Sequence, residues 1–182
     1  MFTLEVLRTQ RDKKYIKLTD PEDIDRFFID EIGGASFSLL YELGIPDYEK
    51  TFKTWLRKFP TPIFIICAAD RHVIGWVYGE EWTEPALDGE PVYVLRTIET
   101  AIEDRGKGIG YRLLILLALE TPGYLITKPI NDDARKFFLE NKFIDKDEME
   151  NLSISLDSHP GYLVLPPYKK RKLVDDLDEY FD

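Results

Sequence analysis

The chain is predicted to fold as an α/β domain with one sheet between helices, and three observations carry that prediction. Apolar residues recur at alternate positions in some segments and at helical spacing in others. These segments follow a mixed order of strands, helices, three strands, helix, strand, helix and closing strands, which suits one sheet covered by helices. Neither an internal repeat nor a linker interrupts the 182 residues, and 44% hydrophobic residues supply one ordinary core but not two.

Taken in order, Thr3 to Arg8 and Tyr15 to Leu18 alternate apolar and polar side chains around a polar turn from Gln10 to Lys14, which reads as one or two first strands. Asp20-Pro21-Glu22 sets a capping aspartate before proline at the first helical position. The helix expected there carries Ile24, Phe27, Phe28 and Ile32 on one face and stops at Gly33-Gly34. Further helices are expected over Phe37 to Leu43 and Tyr48 to Phe59, the second with Phe52, Trp55, Leu56 and Phe59 at helical spacing. Pro60-Thr61-Pro62 breaks that pattern and leads into a strand from Ile63 to Ala69; Asp70-Arg71-His72 then turns into a strand from Val73 to Tyr78. Gly75 inside the latter suggests a bulge or a close backbone approach.

A loop from Glu84 to Pro91 precedes the β-branched run Val92 to Ile102, a glycine turn and an apolar helical run from Ile109 to Glu120. Tyr124 to Thr127 reads as a short strand, and Asn131-Asp132-Asp133 as the cap and acidic first turn of another helix. Phe143-Ile144 starts a further strand, and Leu152 to Leu156 with Tyr162 to Leu165 alternate like a final pair. The charged tail from Lys169 to Asp182 is expected to be helical. Its basic-then-acidic order opposes the helix dipole, so packing must hold it.

Composition narrows the function. A formal net charge of -10 argues against a nonspecific grip on a phosphate backbone, so no nucleic-acid partner is expected. The one cysteine, Cys67, lies in an apolar run and can form no intramolecular disulfide, which suits a reducing compartment. No leader pattern opens the sequence and no apolar run reaches the roughly 18 residues of a membrane span, so a cytoplasmic chain without a membrane role is expected. His72 falls in a hairpin turn and His159 in a loop; with no His/Cys/Asp cluster at ligand spacing, no metal is expected.

The most specific chemistry lies in Arg105-Gly106-Lys107-Gly108-Ile109-Gly110, between a strand and a helix. Glycines let the main chain approach a ligand and adopt positive φ, and the helix that follows leaves its first N–H groups unpaired; together these make an anion site. A dinucleotide fingerprint fails, because its third glycine would fall on Tyr111 or Leu113. A P-loop fails as well, since neither Ser nor Thr follows Lys107-Gly108. What remains is R-x-x-G-x-G, with Asn131-x-x-Ala134-x-x-Phe137-Phe138-x-x-x-Lys142-Phe143 one short strand downstream.

These two segments resemble the GNAT superfamily of acyl-CoA-dependent N-acetyltransferases, with Asn131, Ala134, Phe137 and Phe143 in register. The resemblance covers Ile63 to Phe143 well and the first ~60 residues only in element order. It implies a mixed, mostly antiparallel central sheet flanked by helices, in a single domain over 1–182. It also implies acetyl-CoA as cosubstrate and an amine-bearing small molecule or protein as acceptor. Arg105 with the main chain of Gly106, Lys107, Gly108, Ile109 and Gly110 would hold the pyrophosphate, and Ile98, Glu99 and Thr100 would pair with the pantetheine arm. Asn131 would contact the cofactor or cap its helix.

Three departures matter. Phe138 stands where many members carry a tyrosine that protonates the leaving thiolate, so another donor serves, the thiolate leaves unaided, or the chain binds acyl-CoA without fast transfer. Tyr93, Tyr124 and Tyr162 are the candidate replacement phenols. Lys142 stands where the family has glycine, which suggests a different turn, and Ala101-Ile102-Glu103-Asp104 replaces the usual turn before the motif. Glu99 is the leading candidate base, as a carboxylate in an apolar strand beside the expected thioester, with an outward-facing solvated glutamate as the alternative. The sequence leaves open a homodimer and a second function class, a catalytically weak acyl-CoA-binding module.

Overall fold

The computed structural model describes residues 3–29, 37–145 and 152–181. Their strands are β1 (Glu5–Gln10), β2 (Lys13–Leu18), β3 (Ile63–Ala69), β4 (His72–Glu81), β5 (Val92–Thr100), β6 (Tyr124–Thr127) and β7 (Leu163–Leu165). Their helices are α1 (Leu39–Glu42), α2 (Tyr48–Leu56), α3 (Ile109–Glu120), α4 (Asp132–Glu140), α5 (Pro167–Asp175) and α6 (Leu177–Phe181). The strands form one sheet in sequence order, antiparallel at every junction except the parallel pair β5–β6. A parallel neighbour needs a crossover, and α3 supplies it.

Alternation along the strands gives the sheet two apolar faces. On one, Ile65, Val77 and Leu95 pack with Leu113, Leu116 and Leu117 of α3, Phe138 of α4, and Leu173 and Leu177 of the tail. On the other, Phe64, Ile66, Trp76 and Tyr78 pack with Phe37, Tyr48 and Phe52. Because α3 lies between the sheet and the tail, it is apolar almost all round, with Leu113 to Ala118 all buried. Its N-terminal end presses close to β4. A Cβ on Gly75 would lie 2.8 Å from Ile109 Cγ2 and 3.2 Å from Leu113 Cδ1, so glycine there sets the spacing. Ile74 beside it is a bulge, left over where Cys67 faces Gly75 and Ala68 faces Val73.

Some elements differ from the sequence reading. Asp20 caps as expected, accepting from Glu22 N at 2.9 Å, but the element is a 3-10 helix over Pro21–Arg26. Phe28 has left it and bridges His72, its exposed ring beneath the Arg71 guanidinium. Ile32, Gly33 and Gly34 lie outside the described residues. α2 ends at Leu56 and Phe59 is 95% exposed, because the proline-rich stretch that follows cannot continue a helix. Leu152 to Leu156 form no strand: Leu87 N donates to Ser153 O, and Ile154 is buried without ladder pairing. Ile144 meets Val164 in an isolated bridge only.

The tail is helical as α5 and α6, and packing holds it: Leu173 is buried against α3, and Lys170, 7% exposed, donates to Thr121 O at 2.5 Å at the end of α3. Lys142 keeps a glycine-like turn despite its side chain, with φ +72. Asn141 Nδ2 bonds Phe137 O and Phe143 N bonds Phe138 O across this turn.

Candidate active site

A bulge in β5 makes the site. Tyr78 faces Thr97 and Gly79 faces Leu95, so Arg96 is the extra residue. From Val92 to Leu95 the strand is paired on both edges, with β4 and with β6. From Thr97 to Thr100 only the β4 edge is paired among the described residues. The freed edge opens onto a cleft of about 720 Å³. Ile98, Glu99 and Thr100 form one wall, Asn131, Asp133, Ala134, Phe137 and Phe138 the opposite one, and Ser38, Leu39 and Glu42 an end; Arg105 and Gly110 line it too.

The glycine turn adjoins this cleft. Gly106 and Gly108 both adopt φ +78, a left-handed conformation that side chains disfavour, and Gly108 is the N-cap of α3. No acceptor among the described residues takes the main-chain N–H of Gly108, Ile109, Gly110 or Tyr111. These donors and the positive end of α3 form an anion cradle. The Ile109 side chain is buried in the core, so its main chain alone faces the cradle. Gly106 and Lys107 are exposed in the turn, and Lys107 Nζ is paired with Asp104 at 2.9 Å.

Asn131 caps α4, its Oδ1 accepting from Ala134 N at 2.8 Å, and it lines the cleft as well. The two readings of this residue are therefore compatible. Phe138 is buried with its ring between Phe137 and Phe143, 5.2 and 5.1 Å away. None of Tyr93, Tyr124 and Tyr162 lines the cleft, and the Tyr124 phenol donates to Asp88 instead.

Glu99 is not an outward-facing solvated residue. It is 6% exposed, and its carboxylate accepts from Ser38 N and Leu39 N, both at 2.9 Å, and from the Tyr48 phenol at 2.9 Å. Tyr48 Oη in turn accepts from Leu40 N, and burial pushes its acidity well below that of a free phenol. Glu99 thus holds the start of α1 against the cleft. Sequence reading missed Ser38, Glu42, Tyr48 and Asp133. Tyr48 stands one residue after the Asp47 cap of α2, and no local pattern tells that it reaches β5. Among the described residues no three His, Cys, Asp or Glu side chains group as metal ligands, and no helix is long and apolar enough to cross a membrane.

No protein-family model matches the sequence, and no curated protein matches it. Solved structures do. The chain is similar to a tyrosine-to-phenylalanine mutant of the AtaT toxin bound to the C-terminus of the antitoxin AtaR and acetyl-CoA, at 16% identity and TM-score 0.62 over 90% of this chain and 99% of that one. It is similar to a chain of the KacTA–DNA complex, at 14% identity and TM-score 0.63 over 90% and 99%. A GNAT-family protein from Desulfovibrio desulfuricans matches at 13% identity and TM-score 0.56 over 85% and 98%. The fold is that of the GNAT superfamily.

Within the GNAT fold, the turn leading into α3 and the α4 segment from Asn131 are the segments that carried the sequence resemblance, and both border the cleft at the freed edge of β5. One expectation must be corrected. The acidic total was read as excluding nucleic acid, yet KacTA, with the same GNAT fold, was solved with DNA, and AtaT with a segment of its antitoxin. Net charge averages over the whole surface, whereas contact depends on local patches and on what a partner chain adds, so that exclusion does not stand.

Proposed function

We propose that this chain transfers an acetyl group from acetyl-CoA to a primary amine of a polyamine, a lysine side chain or a peptide N-terminus. The observation that carries this reading is the β5 edge left unpaired beyond Arg96, which runs along a cleft toward unused N–H groups at the start of α3. An amide-rich arm can lie along such an edge as an added strand does, and a pyrophosphate suits the N–H cradle. Ile98, Glu99 and Thr100 would meet the arm, Arg105 with Gly106 to Gly110 the phosphates, and Asn131 and Phe138 the opposite wall. Acetyl-CoA, when bound, supplies an activated carbonyl.

An ammonium must lose its proton before its nitrogen can attack. Glu99 is the candidate base: three of its four lone-pair sites are taken by Ser38 N, Leu39 N and Tyr48 Oη, and no partner among the described residues takes the fourth, which is open to a water or the amine. Glu42 and Asp133 line the same cleft, so among the described residues three carboxylates face Arg105 as the one cationic lining group, a balance that favours a cationic acceptor. Free-thiol release from acetyl-CoA with a panel of amines tests the proposal. Turnover with a polyamine or an exposed lysine is expected; acetyl-CoA binding without turnover on any amine refutes the transferase reading.

Phe138 favours one second reading, an acyl-CoA-binding module with weak catalysis, because its ring has no proton to give. Phe138→Tyr separates the two. If the parent binds acetyl-CoA yet acetylates no amine that the variant acetylates, the module reading holds.

A further inference from the structure

The cofactor turn is tied to the C-terminal tail through one side chain. Arg112, on the first turn of α3, donates from Nη1 to Lys107 O at 2.8 Å and from Nε to Tyr180 O at 2.6 Å. Its guanidinium also lies against Gly108, where a Cβ would be 3.1 Å from Nη1. Arg112 therefore holds the carbonyl of one turn residue and packs on the left-handed glycine that caps α3. Its other arm grips the main chain of α6. That helix is seated by two ring contacts, Tyr180 on Tyr111 at 4.5 Å and Phe181 on Tyr15 at 5.1 Å.

Fixing Lys107 O on a guanidinium has a consequence for the cradle. In a planar trans peptide the C=O and the N–H point in opposite directions, so holding Lys107 O also fixes the direction of the Gly108 N–H, one of the cradle donors. A cation held beneath the cradle also favours an anion above it. An arginine suits the task, because its planar fork can serve two acceptors that belong to different elements.

We propose that α6 is a latch on the cofactor turn and that Arg112 is the positioning residue joining them: with α6 seated, the turn is set to receive a diphosphate, and with α6 displaced its affinity falls. This inference rests on the acetyl-CoA reading of the cleft, and the experiment keeps the two apart. Acetyl-CoA binding is measured by calorimetry, and binding of pantetheine, which carries the arm without the diphosphate, by NMR titration. The proteins compared are the parent, Arg112→Gln, the double variant Tyr180→Ala with Phe181→Ala, and the combination of all three changes, each checked by circular dichroism for retained fold.

Each set of changes is expected to weaken acetyl-CoA by about tenfold while leaving pantetheine unchanged, and the combination to be no worse than either alone, as one shared linkage requires. Parent-like acetyl-CoA affinity in folded variants overturns the latch. Equal weakening of both ligands also overturns it, because a loosened fold would do the same. Additive losses overturn it too, since α6 and Arg112 would then act separately. A parent that binds pantetheine and acetyl-CoA equally well would refute the diphosphate cradle itself, and the latch with it.

Discussion

Lys142 holds a left-handed backbone conformation that an L side chain adopts at a cost of about 1–2 kcal/mol. Replacing it by glycine removes that strain but adds chain entropy to the unfolded state, so Lys142→Gly should stabilise the fold by roughly 0.5–1 kcal/mol, read as a higher urea midpoint at unchanged slope. Lys170 makes a different demand. Burial lowers its ammonium from the usual lysine range to about 8. Between about 8 and the ordinary lysine value the unfolded chain still holds a proton that the folded chain has released, so stability on this account rises with pH through that window and is lost as pH falls back toward 8. The difference in unfolding free energy between the parent and Lys170→Met, followed from about pH 7 to 10, should therefore shift in the parent's favour. At Glu99, substitution by glutamine keeps the size of the side chain and removes its basicity. A fall of about 10²–10⁴ in kcat with acetyl-CoA affinity near that of the parent is expected, whereas a role confined to anchoring α1 would spare the rate.

At the scale of elements, α3 is the crossover that makes β5–β6 parallel, the packing partner of the tail and the carrier of the anion cradle. Its approach to β4 depends on Gly75, where even alanine would bring a Cβ to 2.8 Å from Ile109. Gly75→Ala should cost about 1–3 kcal/mol and displace the start of α3, so acetyl-CoA affinity should fall along with the thermal midpoint. The elements legible in the sequence were those with local signals. The glycine turn, the apolar run of α3 and the Asn131 cap each show within a dozen residues, and all three border the cleft. What could not be read depends on distant contacts. Tyr48 and Ser38 meet Glu99 across separations of 51 and 61 residues. Leu152 to Leu156 alternate like a strand, but they bury apolar side chains beneath the β5–β7 end of the sheet without a ladder. The bulge at Arg96, on which the cleft depends, shows only once the β4 register is known.

For the molecule as a whole, the fold sets a gap in the sheet, a cleft lined by three carboxylates among the described residues, and the glycine turn next to one another. α1 is held to one side by Glu99 and the tail is held beneath by Arg112. Bulk charge read alone misled, because a total of -10 averages over the whole surface and could not speak for partner chains. The central claim is that the β5 gap and the α3 N-terminus together receive acetyl-CoA. A crystal structure of the chain with acetyl-CoA tests it most directly. The account expects the pantetheine amides along the free edge of Ile98 to Thr100, the diphosphate on the N–H groups of Gly108 to Tyr111, and the thioester within reach of Glu99. Acetyl-CoA bound outside this cleft, or within it with its diphosphate away from the glycine turn, would contradict it.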